Sequence, residues 1–134
     1  MPFIVFLLAL FLAACPAEPY AAKDADNAEV HELWTGSVLT ATFKAGVCTK
    51  KNGSARGVLL LTHATGQTDV YHVYGYKEGS YFELRHASGH IGKITGYEGG
   101  LLKGTVRLKS GFKINVQGRS RLNVPLSDDC APIQ

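Results

Sequence analysis

No Cys-x-x-Cys pair, no Gly-x-Ser-x-Gly elbow and no acidic residue between Gly99 and Ser127 occur in this chain. The first absence removes the usual spacing of dithiol redox chemistry, and the second removes the local signature of an α/β-type serine hydrolase. Charge is also missing from Met1 to Cys15, where every side chain is uncharged. Helical room is scarce, because the apolar segments are short and separated by brief glycine-bearing turns. Glu78 and Glu83 are the nearest thing to an acid/base pair, but nothing in the sequence sets their separation, and surface positions are expected for both. No catalytic residue is assigned, and the chain is not read as an enzyme.

What is present is 134 residues with 15 glycines, 46% apolar residues and a formal charge of +3. That is one domain with a single core, of all-β composition, and a net charge too modest to name a nucleic acid as partner. The segment Gly57 to Tyr76 reads as two strands around a turn at Thr65-Gly66-Gln67. Val58 to Leu61 is apolar on both faces, which predicts that its outer side is covered by the N-terminal segment or by a second copy of the chain. After the turn, Val70, His72, Tyr74 and Tyr76 share one side and Asp69, Tyr71, Val73 and Gly75 the other. The first set is assigned to the core.

Met1 to Cys15, MPFIVFLLALFLAAC, is too short to span a bilayer and ends in small residues, as an export signal does. Its last four residues, Leu12-Ala13-Ala14-Cys15, resemble the lipobox of bacterial lipoproteins. The resemblance covers only the signal, and it implies that Cys15 is lipidated and becomes the mature N-terminus. No Lys or Arg precedes the apolar run. Ordinary secretion, with cleavage after Ala17 or Ala22, is the alternative. With Pro16 after the cysteine, the resemblance implies sorting to the outer membrane, facing the periplasm. Residues 16–32, rich in Ala, Pro and acid, are read as a tether, with one or two helical turns possible over Asp24 to Leu33. The domain is assigned to 33–134.

From Trp34 onward short strands follow one another: Trp34–Lys44, the two strands of the hairpin, Tyr81–His86, His90–Tyr97, Leu101–Lys109, Phe112–Gly118 and Arg119–Leu126. About eight strands with short turns predict consecutive antiparallel pairing and a small up-and-down barrel; a two-sheet sandwich is the alternative. The gross layout resembles small periplasmic lipoprotein barrels and calycin-like folds. Cys48 and Cys130 remain once Cys15 is lipidated or removed, and in an exported protein an even pair predicts a structural disulfide.

Three residue groups are candidates for function. Lys103, Arg107, Lys109 and Lys113 alternate with Leu102, Val106, Leu108, Phe112 and Ile114, so the basic side chains are expected to form an outward ribbon over buried apolar ones. Such a ribbon suits an anionic envelope glycan or lipid, or a protein such as a cell-wall hydrolase. Tyr71 and Tyr81 are a weaker aromatic surface, with Tyr71 the exposed residue if Val70 faces the core. His63, His72, His86 and His90 lie on or beside neighbouring hairpins, with His86 and His90 flanking one turn. A metal needs three or four such groups to converge, so no metal and no cofactor is assigned. The two functional expectations are an exported, lipid-anchored binding protein using the basic ribbon, and a calycin-like carrier holding a small apolar ligand near His72, Tyr74 and Phe82.

Overall fold

A computed structural model describes residues 28–133. The signal, Cys15 and most of the tether lie outside the described residues. Eight antiparallel strands are joined in sequence order: β1 (Glu29–Val38), β2 (Ala41–Lys50), β3 (Ser54–Thr62), β4 (Thr68–Glu78), β5 (Tyr81–His86), β6 (Ile91–Gly96), β7 (Leu101–Arg107) and β8 (Lys113–Leu122). Each pairs with the next, and β8 returns to β1 from Glu32↔Leu122 to Val38↔Val116, which closes the barrel. Closure leaves no strand edge unpaired, as the sequence predicts.

Strand boundaries differ from the sequence reading in three places. The segment Trp34–Lys44 is not one strand: the chain reverses at Leu39-Thr40, with Leu39 in the left-handed region at φ 55°. No Gly, Pro, Asn or Asp marks that turn, and the flanking β-branched residues hide it. Conversely, Phe112–Gly118 and Arg119–Leu126 are not two strands, because β8 runs without a break through Gly118. Gly118 is there for close approach, since a Cβ would run into the Thr35 carbonyl of β1 and the Phe43 ring. The two errors cancel in the count. The third is the tether, whose last residues, Glu29 to Glu32, belong to β1 rather than to a helical turn or linker.

Inward positions follow the pleat around the wall. Trp34, Phe43, Ala45, Val47, Phe82, Leu84, Ile94, Leu102 and Val116 form the buried core. On β4 the assigned faces are reversed: Val70, Tyr74 and Tyr76 are exposed, and Tyr71 and Val73 point inward with Gly75. The physical reason is packing across the barrel: Val73 lies against the buried core and Tyr71 on the interior lining, while the hydroxyl-bearing Tyr74 and Tyr76 reach solvent. Phe112, also assigned to the core, lies in the turn before β8 and is 64% exposed.

The outer face of Val58 is buried, as its apolar character predicts, but the cover differs. Behind β8 the chain folds back along β2 and β3, and the Leu126↔Pro132 bridge shapes this tail. Its Cys130 is joined to Cys48 on the outer side of β2, with Cα atoms 6.1 Å apart. A Cβ on Gly46, the residue opposite Val58, would collide with the Cys130 carbonyl. Arg56 ties the same corner, donating to Glu29 Oε1 at 3.3 Å and to the Asp128 carbonyl at 3.5 Å. The predicted disulfide is therefore present, with Cys48 inside strand β2.

Candidate functional site

The barrel has two ends. One carries the turns at 39–40, 63–67, 87–90 and 108–112; the other carries the remaining turns and the tail. Between them Trp34 and Phe82 meet edge to face, ring centroids 4.8 Å apart, both nearly fully buried. This pair partitions the interior. On the tail side sits the Glu32 carboxylate, whose Oε1 accepts from Trp34 Nε1 at 3.2 Å and from Ser120 Oγ at 2.7 Å. Lys77 Nζ lies 5.2 Å from the centre of the Phe82 ring, a cation–π contact on the same side.

On the other side of the partition is a cavity of about 210 Å³. Its floor is Trp34, and its walls are aliphatic and aromatic side chains from all eight strands, among them Phe43, Leu59, Val73, Leu84 and Ile94. Toward the open end Val38, Leu61, Leu108 and Ile114 line the cavity but remain partly exposed, so it reaches solvent there. Gly92 supplies room in the wall: a Cβ would have only ordinary contacts, 3.7 Å to the Leu84 carbonyl and 3.9 Å to Val106 Cγ2. An apolar concavity that reaches water at one end and is sealed at the other suits a small apolar ligand.

Polar side chains enter this lining on one side only. Tyr71 of β4 meets His86 of β5 edge to face at 5.0 Å, and His86 stacks with His90 at 6.1 Å across the β5–β6 turn. The sequence places these two histidines around one turn; it does not show that they line a cavity. His72 and Tyr74, expected near an interior ligand, face solvent on the outer wall, and Phe82 belongs to the partition beneath the cavity. The alternation error on β4 is the cause. His63 is engaged elsewhere, its Nε2 2.7 Å from Asp69 Oδ2. That hydrogen bond holds the Asp69 carboxyl below its ordinary pKa.

The basic ribbon is on the outer wall. Lys103, Arg107 and Lys113 are exposed on its strands, with Arg107 opposite Lys113 and Lys103 opposite Gln117, whereas Lys109, read as the end of a strand, is exposed in the β7–β8 turn because β7 stops at Arg107. Lys93 on β6 and Arg119 and Arg121 on β8 widen the field, and Arg119 donates to the Gly99 carbonyl at 3.4 Å. The carboxylate at its border is Glu83, opposite Lys93 and bonded by Arg85 at 3.2 Å. Tyr81 is half-buried outside the barrel beside Tyr76, and burial followed by the Glu83 charge pushes its hydroxyl pKa up. Tyr71 and Tyr81 thus lie on opposite faces of the wall and do not form one surface.

Glu29, His31 and Cys48 bring three ligand-type atoms within 4.8 Å of one another. They do not make a metal centre, because the Cys48 sulfur is held in the disulfide and Glu29 is paired with Arg56. The chain matches no family model, no curated protein and no solved structure in the comparisons made with each.

Proposed function

We propose that this protein is an exported, lipid-anchored carrier that holds a small apolar ligand inside its barrel. The observation that supports this best is the cavity itself: an aliphatic chamber closed below by Trp34 and Phe82 and reaching solvent above. Burying apolar surface supplies on the order of 25 cal/mol per Å², so even a small hydrophobe gains several kcal/mol by entering. Export is supported by the signal-like start and by the Cys48–Cys130 bond, which persists in oxidising compartments. Lipidation at Cys15 would keep the carrier at the envelope membrane without a spanning helix.

The test is a titration of the purified protein with the neutral dye N-phenyl-1-naphthylamine, beside native mass spectrometry for a co-purified small molecule. Saturable one-site binding is expected, at least about tenfold weaker in Gly92→Leu, whose side chain fills the space that the wall leaves open. Absence of saturable binding to the wild type, with no co-purified ligand, overturns the carrier reading.

A second reading rests on a separate observation. Six exposed cations, Lys93, Lys103, Arg107, Lys113, Arg119 and Arg121, share the outer wall of β6 to β8. They would let the barrel dock an anionic envelope glycan or lipid, or an acidic protein, while the interior stays available.

A further inference from the structure

We infer that the cavity selects ligands with a carboxylate head, held at the rim by Tyr71, His86 and His90. This rests on the carrier reading and adds the chemical class of its ligand. The argument begins with the ring nitrogens. His86 Nδ1 accepts from the backbone N–H of Ser88 at 3.2 Å and lies 2.7 Å from Ser88 Oγ. His90 Nδ1 accepts from the backbone N–H of Lys109 at 3.2 Å. A backbone N–H can only donate, so each ring carries its proton on Nε2.

Both rings line the cavity, and neither Nε2 has a hydrogen-bond partner among the described residues. Tyr71 Oη has none either, although its ring contacts His86 edge-on. Three side chains that can donate are therefore gathered on one side of an otherwise apolar lining. Trp34, at the floor, already donates its Nε1–H to Glu32 Oε1 at 3.2 Å.

The carboxylate nearest in sequence on the same face of β4 is Asp69, and it does not line the cavity. Its oxygens are taken by His63 Nε2 at 2.7 Å and by Gln67 Nε2 at 3.2 Å. Just outside the arc, the aliphatic part of Lys109 lies along the Gly89 backbone, which keeps a cation beside the His86–His90 turn. An arc of N–H and O–H donors with a cation behind it and no carboxylate within it suits an acidic head and disfavours an ammonium. The apolar tail of such a ligand then fills the chamber down to Trp34.

Decanoate, decanol and decyltrimethylammonium carry the same tail and separate the two claims when titrated into the purified protein at pH 7.5. Decanoate is expected to bind about tenfold or more tightly than decanol, and decyltrimethylammonium more weakly than either. Tyr71→Phe should cost decanoate several-fold and leave decanol unchanged. His86→Phe with His90→Phe should bring decanoate down to the affinity of decanol, whose retained binding also shows that the barrel is intact. Equal affinities for acid and alcohol in the wild type, or a preference that survives both sets of substitutions, overturn the head-group inference and leave the carrier reading standing. If none of the three binds, both fall.

Discussion

At the scale of single residues, neighbouring side chains with similar chemistry have opposite fates. Tyr71 and Tyr74 are three positions apart on one strand; one lines the cavity and the other is 58% exposed. Their identities do not separate them, because a tyrosine fits a strand on either face. Their register does, since it sets Tyr71 and Val73 against the interior and turns Tyr74 to solvent. Asp69 shows how a residue's surroundings set a measurable property. The His63 hydrogen bond lowers its carboxyl pKa in the folded barrel, whereas the unfolded value is about 3.9. A depressed folded pKa stabilises above the unfolded value, and that stabilisation is lost as pH falls through the folded value. Melting curves of the wild type and Asp69→Asn should therefore differ at pH 7 and converge once the pH falls below the lowered folded value, with a small gap because the pair is exposed to solvent. A gap that persists unchanged at low pH would contradict this assignment.

At the scale of elements, the alternation of β7 and β8 was legible in the sequence because their two faces differ so plainly. Leu102, Val106, Ile114 and Val116 point in, and Lys103, Arg107, Lys113 and Gln117 point out. Phe112 breaks the pattern only because the strand starts one residue later. On β4 the apolar residues are divided between both faces, and alternation alone has nothing to choose between them. The ribbon that β7 and β8 carry makes a prediction at this scale. Lys103→Glu, Arg107→Glu and Lys113→Glu together should weaken capture on anionic lipid vesicles or acidic glycan at least about tenfold at low ionic strength. The gap should close near 1 M salt, where the screening length is about 3 Å. All three side chains are exposed, so melting temperature should hardly move. Capture that is indifferent to these changes removes the ribbon as a docking surface.

For the whole molecule, the informative covalent link is the one that fastens the tail to the barrel. Cys48 and Cys130 are 82 residues apart, and both are almost fully buried. In the chain-entropy model a loop of that length is worth about 4.5 kcal/mol, a large part of the 5–15 kcal/mol that holds a typical domain together. Cys48→Ala with Cys130→Ala should lower the melting midpoint by roughly 20 °C or more, and the tail over Gly46 and Val58 should become the first segment to exchange its amide protons. The barrel's own strand pairing does not run through this bond, so a folded but less stable molecule is expected. A midpoint within a few degrees of the wild type would show that the tail packs as firmly without the bond.

The sequence alone determined the all-β class, the strand number near eight, the disulfide pair and the outward face of β7 and β8. Each follows from local signals: glycine-bearing turns, a two-residue period with contrasting faces, and an even number of cysteines once the signal is set aside. The closed barrel was the sequence expectation, with a sandwich beside it; the tertiary structure decided between the two, and it alone decided which face of β4 looks inward and that the C-terminal tail covers Val58. It alone placed His86, His90 and Tyr71 around one cavity. The reason is that an inward or outward address, when both faces of a strand are apolar, is set by register and crowding across the barrel. Those contacts join residues far apart in the chain, where no local pattern records them.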